Sequence, residues 1–262
     1  MERSAQIALE CKNLKVGYKS GGSEKVILKD INFSVSKGLF VAMVGINGSG
    51  KSTLLRTLAG LQKPLSGDIY LENQIINSIN PNEKSKLLSL VLTNQTISKN
   101  LTVLELVTLG RQPHTNWIGS LSSKDKSHIL EAIEATELEK FKNTPCFELS
   151  DGQLQRVLIA RALAQDTPTI FLDEPTTHLD LHHKASIFLL LKKIAKEQQK
   201  TILCTTHDIE LVLSLCDKMV VLHKNTTHSN TPDELIKSRI FEDLFPNNKI
   251  GFNNKTRQFF IR

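Results

Sequence analysis

The apolar residues of this 262-residue chain come in short blocks divided by polar, glycine-containing turns. At the N-terminal end, IALECKNLKVGY and VILKDINFSVSKG read as strands separated by a Gly/Ser turn at Ser20–Ser23. The run LFVAMV at 39–44 is continuously apolar, as in a strand covered on both faces, and a glycine-rich turn leads from it into the helical pattern STLLRTLAGL. LLSLVLT at 87–93 predicts another strand. From Thr102 to about Ala164 the spacing is mostly helical, with amphipathic pieces in VLELVTLG and SHILEAIEATELEKF. TIFLD and TILCTT are further candidate buried strands, with the helix HKASIFLLLKKIAKEQ between them. The tail after His223 is polar and irregular up to DELIKSRIFEDLF, which predicts a helix. Strands alternating with helices at both ends, and helices alone in the middle, predict an α/β fold: a parallel-sheet core with a helical insertion.

Composition narrows the class. With 40% hydrophobic and 23% charged residues the chain can bury a real core, as one large or two small domains. Its apolar runs fall far short of the roughly eighteen residues of a membrane span, and MERSAQIALECK lacks an apolar signal core, so the protein is expected to stay in the cytosol. Cys11, Cys146, Cys204 and Cys216 are scattered without a CxxC pair, which suits buried free thiols. The formal charge of +6 is spread along the chain instead of concentrated in a basic arm, so a solvated surface is the default and nucleic acid is not the expected partner.

Three strand ends carry candidate chemistry. GINGSGKST, Gly45 to Thr53, fits GxxxxGK[ST] between a strand and a helix. The glycines permit the turn and let backbone N–H groups converge on phosphate, with the dipole of the following helix aimed at the same anion. Lys51 would reach the β and γ phosphates, and the Ser52 hydroxyl would hold Mg²⁺. TIFLDEP releases Asp173 and Glu174 at a strand's carboxyl end, where ligands bind in α/β sheets. There Asp173 would support the metal and Glu174 would orient and deprotonate an attacking water; the plain alternative is two solvated acids before a proline turn. TILCTTH ends in His207, a candidate γ-phosphate sensor, and Gln95, just after LLSLVLT, could reach metal or water. His178, His182 and His183 invite a transition-metal reading, but no acid or cysteine completes a site with them. The stretch LSDGQLQR at 149–156 holds no evident base, nucleophile or metal ligand; Ser150 fits an N-cap before apolar residues at helical spacing.

In their order these elements resemble the nucleotide-binding subunit of an ATP-binding cassette (ABC) transporter, over roughly residues 7–224. The resemblance makes GINGSGKST the phosphate loop, with Gly45, Asn47, Gly48, Ser49, Gly50, Lys51, Ser52 and Thr53 at the nucleotide, and places Gln95 in the glutamine loop. It makes LSDGQ the signature, TIFLDE the magnesium strand, HLD with Asp180 the D-loop and His207 the switch histidine, while Tyr18 falls where the family stacks adenine. The implied fold is one nucleotide-binding domain, 1–262: a P-loop NTPase (RecA-like) core, an antiparallel β subdomain, an inserted α-helical subdomain at about 97–165 and a variable tail at about 225–262. In this family LSxGQ serves the ATP of a second subunit, so Ser150, Gly152 and Gln153 would complete a partner's site in a head-to-tail homodimer. A serine hydroxyl, a glycine N–H and a helix N-terminus suit phosphate. Three places depart from the pattern: Asp151 replaces the usual glycine and is expected to point outward, Ile46 stands where many relatives have proline, and LHKNTTHSNTPDEL is poor in the usual glycines.

One uninterrupted cassette with no fused membrane domain implies a separate subunit of a membrane complex. LTVLELVTLGRQPH, followed by the HLDL that runs into His182, resembles the ATPases of importers for iron siderophores, haem and cobalamin. That likeness implies MgATP hydrolysis by a homodimer at the inner face of the cell membrane, coupled to integral-membrane permease subunits fed by a substrate-binding protein. Two other readings stand beside it: a soluble ABC ATPase acting on nucleic acid or a cytosolic assembly, as in iron–sulfur biogenesis, and a non-hydrolysing ATP-binding regulator. The second of these needs a failed site, whereas Lys51, Asp173, Glu174 and His207 are all present.

Overall fold

In a computed structural model, which describes residues 6–93, 98, 100–245 and 249–262, a diglycine turn starts the fold. Strand β1 (Ile7–Ser20) folds back on β2 (Ser23–Ser36) with Ser20 opposite Ser23. Gly21 and Gly22 between them both have positive φ, 56° and 84°, the backbone that a two-residue hairpin needs. The chain then runs through β3 (Phe40–Val44), α1 (Lys51–Leu58), β4 (Ser66–Leu71), β5 (Gln74–Ile75), α2 (Pro81–Leu87) and β6 (Leu88–Val91). Helices α3 (Val103–Thr108), α4 (Ser123–Ala135) and α5 (Asp151–Ala164) follow. Each starts on a reciprocal capping box, Thr102 with Glu105, Ser122 with Asp125 and Ser150 with Gln153. The chain returns to the sheet with β7 (Thr169–Asp173), α6 (Leu181–Gln198), β8 (Thr201–Thr206), α7 (Ile209–Leu213) and β9 (Lys218–His223), then adds β10 (Thr226–Asn230), α8 (Pro232–Lys237), β11 (Ile250–Asn253) and β12 (Gln258–Ile261).

The strands form a six-stranded sheet ordered β10-β9-β3-β8-β7-β6 and a four-stranded sheet ordered β2-β1-β4-β5. The larger is parallel except at β10, and the smaller is antiparallel. Alternation along the central strands divides the interior into two cores. Phe40, Ala42 and Val44 of β3 join the helices α3 to α7, while Val41 and Met43 face β1, β2 and α1. The same division separates Ile170 and Leu172 from Phe171 in β7, and Ile202 and Cys204 from Leu203 in β8. A strand covered on both faces has no room for a polar stripe, which explains the unbroken apolar runs in the sequence. The observed architecture is the expected cassette fold. All four cysteines are free and buried, and burial drives the Cys204 thiol far above its ordinary range. Among the described residues no helix is long and apolar enough to cross a membrane.

The structure corrects two helix expectations and the view of the tail. SHILEAIEATELEKF is not one helix: α4 stops at Ala135, the buried Thr136 turns its hydroxyl back to the carbonyls of Ala132 and Ile133 (2.8 and 3.2 Å), and Glu137 takes φ 60°. A threonine satisfied by its own turn, followed by a left-handed residue, ends the helix and leaves only a 3-10 turn at Glu139–Phe141. DELIKSRIFEDLF likewise yields only the short α8, with Arg239 at φ 61° soon after it. Nor is the tail irregular before α8. Lys224 and Asn225, at φ 47° and 63°, turn β9 into β10, and farther on β11 and β12 form a hairpin. Phe252 and Phe259 of that hairpin meet at 4.9 Å, and Phe252 lies 5.1 Å from Phe241.

Candidate active site

Strands β3, β8 and β7 are neighbours in the sheet, and the residues that follow them meet. After β3 the chain turns through Gly45–Gly50 into α1. Gly50, the N-cap, has φ 97°, and a Cβ there would lie 2.6 Å from Ile27 Cγ2, so both backbone and space demand glycine. Lys51 is buried, with Nζ donating to the carbonyls of Gly45 (2.9 Å) and Ile46 (3.2 Å) and standing 3.9 Å from the Glu174 carboxylate. Burial pulls the Lys51 pKa down, against the opposing effect of Glu174 and Asp173. The Ser49 hydroxyl is buried and finds no partner among the described residues, leaving a free donor in the loop.

Asp173 ends β7 and is buried; its Oδ1 accepts from Ser52 Oγ (2.9 Å) and Thr205 Oγ1 (2.8 Å), while its carbonyl accepts from Thr93 Oγ1 (2.9 Å). A carboxylate beside a hydroxyl is a hard-oxygen set that fits Mg²⁺ shared with phosphate. Glu174 is next, at φ 46°, a left-handed conformation that costs a non-glycine residue about 1–3 kcal/mol. It is held there by its N–H, which donates to Thr205 Oγ1 at 2.8 Å. Its carboxylate accepts from Thr177 Oγ1 (3.3 Å) and lies 3.9 Å from His207 Nδ1, at the end of β8. An acid placed between a lysine and a histidine, on the edge of an anion-binding loop, can take a proton from water while the lysine and the imidazole face developing phosphate charge. Tyr18 stands beside the loop, half-exposed, its hydroxyl 3.0 Å from Thr53 Oγ1. Gln95 lies outside the described residues.

Ser150 caps α5 through Gln153 N–H (3.3 Å), and Gln153 Oε1 accepts from Ser150 N–H (2.9 Å). Asp151 is exposed in the first turn, where the helix dipole favours an acid. Gly152 packs on His183, since a Cβ there would come within 2.7 Å of His183 Cδ2. Among the described residues no hydrogen bond or ion pair joins Ser150, Gly152 or Gln153 to residues 45–53. Asp180 caps α6, accepting from His183 N–H and facing His183 Nδ1, both at 2.9 Å, and these bonds hold its carboxyl below the usual range. This corrects the expectation that no acid stands beside the histidines: the ligand atoms of Asp180, His182 and His183 lie within 4.8 Å of one another, all exposed. Asp180 and His183 engage those atoms in the cap, however, at the helix end whose dipole repels a cation. Neither Thr205, which braces both Asp173 and Glu174, nor Asp208 beyond it belongs to a motif that assigns it a role. Hydroxyls closing the apolar strand TILCTT were the available signal.

The family model described as ABC transporter matches residues 28–177. The chain is 37% identical over 241 residues to the petrobactin import ATP-binding protein FpuD of Bacillus anthracis, across 92% of this chain and 87% of that protein. It is 36% identical over 239 residues to the iron(3+)-hydroxamate import ATP-binding protein FhuC of Bacillus subtilis, across 91% and 87%. Its fold is similar, with TM-score 0.72 and 32% identity over 86% of this chain and 98% of the other, to a dimeric post-hydrolysis state of the ATP-binding cassette MJ0796 bound to ADP and Pi.

Proposed function

This chain belongs to the ABC transporter family, and from that premise we propose that it is the ATP-hydrolysing subunit of an importer, powering uptake of an iron complex (ferric siderophore or haem) or cobalamin through a separate membrane permease. The observation that carries the reading is the meeting of Lys51, Ser52 with Asp173, Glu174 and His207 at the ends of three adjacent strands. The likeness to two import ATP-binding proteins over most of the chain supports the cargo class.

In this reading the Gly45–Gly50 loop and the start of α1 hold the phosphates, with Asn47, Ser49 and Thr53 at the nucleotide and Tyr18 against the adenine. Lys51 exchanges the carbonyls of its own loop for β and γ oxygens. Ser52 and Asp173, joined by Gln95, hold Mg²⁺, which when bound offsets charge on the β and γ phosphates. Glu174 orients and deprotonates water, and His207 senses the γ phosphate. Ser150, Gly152 and Gln153 complete the site of a second copy, with Asp180 at the same interface. The exposed cap of α5 supports that role: Ser150 is open to an anion arriving from outside the chain. ATP closes the head-to-tail homodimer by binding its closed state better, and hydrolysis releases it. The cycle drives two permease subunits, supplied by a substrate-binding protein, with this chain peripheral at the inner face of the membrane.

Purification of the tagged chain from solubilised native membranes tests the assignment. Recovery with an integral-membrane permease is the expected result. Recovery only in the soluble fraction, with nucleic acid or a scaffold protein, would overturn transport while leaving the ATPase.

A further inference from the structure

Asp208 follows the switch histidine and joins three segments. Its Oδ2 accepts from Thr176 Oγ1 (2.9 Å), two residues beyond Glu174, and from Thr206 Oγ1 (3.4 Å) at the end of β8. Its backbone N–H returns to Thr206 Oγ1 (3.0 Å), and its Oδ1 accepts from Lys184 Nζ at 2.7 Å. Both partners of the ion pair are largely buried, with side-chain exposures of 19% and 14%. Lys184 lies in the first turn of α6, and its own N–H donates to the carbonyl of the helix cap, Asp180 (2.9 Å). A lysine there faces the positive end of the helix dipole, an unfavourable position unless an anion offsets it. Asp208 is that anion.

We propose that Asp208 and Lys184 are a pair of positioning residues that holds His207 at its working distance from Glu174 and links that distance to the Asp180 end of α6. The inference rests on the active-site reading above. His207 is flanked by Thr206 and Asp208, and Glu174 is two residues from Thr176, so one carboxylate brackets the backbones on either side of the 3.9 Å gap between His207 and Glu174. Lys184 carries the bracket to α6, whose cap would move with a docking partner. Neither residue touches Glu174 or His207 side chains through a hydrogen bond or ion pair among those described, so each acts by placing the backbone. A buried, hydrogen-bonded pair is suited to this, because removing one charge leaves the other unpaired and displaces the loop.

The test is ATP turnover of the full-length chain as a function of ATP concentration, with fluorescent-nucleotide affinity and thermal melting, for Lys184→Met, Asp208→Asn and Lys184→Arg, beside Glu174→Gln. Misplacing a reacting group by about 1 Å costs up to about a hundredfold, so Lys184→Met and Asp208→Asn should lower kcat at least about tenfold with KM within about threefold. Lys184→Arg, which keeps the charge and donors, should restore kcat to within about threefold of the parent. Unchanged kcat in folded Lys184→Met and Asp208→Asn would overturn the pairing. So would loss of kcat only in step with lost nucleotide affinity or melting temperature, or failure of both variants to fold, since the pair would then be structural. Normal turnover in Glu174→Gln would instead refute the underlying site. An inactive Glu174→Gln beside a normal Lys184→Met would refute this inference alone.

Discussion

Replacing Arg111 by methionine should loosen the helical part of the molecule measurably. Arg111 and Asp125 are both buried, at 3% and 5% exposure, where the 3-10 segment Leu109–His114 meets the first turn of α4. Arg111 Nε and one terminal nitrogen reach Asp125 Oδ1 (both 2.8 Å), and the other terminal nitrogen donates to the carbonyl of Ala164 (2.7 Å), at the end of α5. Asp125 Oδ2 accepts from Ser122 N–H (2.8 Å) and Oγ (2.6 Å). Methionine fills much of the volume but leaves Oδ1 without its cation and the Ala164 carbonyl without its donor. Breaking a buried pair from one side costs about 3–5 kcal/mol, and because the two bonds from Ser122 persist, the lower end, about 3 kcal/mol, applies. At roughly 2–3 °C per kcal/mol for a chain of this size, the melting temperature should fall by about 6–9 °C. Thermal and urea unfolding measure it, and Arg111→Met/Asp125→Asn, which removes the stranded charge, should recover about a third of the loss. The Ser122 hydroxyl and amide, with Arg111 added, hold the Asp125 carboxyl well below the usual range. A depressed carboxyl stabilises the folded chain above the unfolded pKa of about 4, and that stability is lost as pH falls through the folded pKa. The gap between parent and Arg111→Met should therefore be flat from about pH 5 to 8 and narrow below about 4. A melting loss under about 2 °C, or a gap indifferent to pH, would refute the reasoning.

Substitutions at three further residues test the site. Ser150→Arg should abolish turnover while leaving nucleotide affinity of the monomer within about twofold; a collapse of that affinity would contradict service to a second copy. Tyr18→Ala should weaken ATP binding about tenfold, the scale of one lost base stack, whereas Tyr18→Phe should cost at most about fivefold; equal losses in a titration would argue against stacking. Gly50→Ala must fit a Cβ 2.6 Å from Ile27 Cγ2 at φ 97°, so it should lose about 2 kcal/mol of stability together with ATP affinity, and an unchanged melt would mean the loop relaxes freely.

The parts of the fold readable in the sequence were those whose physics is local. The buried runs LFVAMV, TIFLD and TILCTT read as strands because both faces are covered, and the phosphate loop was legible because its turn demands glycines at fixed spacing. Ser150 read as a cap because apolar residues at helical spacing follow it, and the structure adds a box with Gln153 three residues on. What escaped depends on distant partners. β10, TTHSN, is a polar edge strand, visible only through its pairing with β9. The end of α4 turns on whether the Thr136 hydroxyl faces solvent or its own turn. The Asp208–Lys184 pair joins residues 24 apart that carry no motif together.

The most direct test of the central claim, an ATP-closed dimer opened by hydrolysis at Glu174, is the molar mass of Glu174→Gln in solution with and without MgATP, measured by light scattering beside phosphate release. The account predicts a monomer without nucleotide, a particle of twice that mass with MgATP, and little phosphate released. A monomer at saturating MgATP, or phosphate release at the parent's rate, would contradict it.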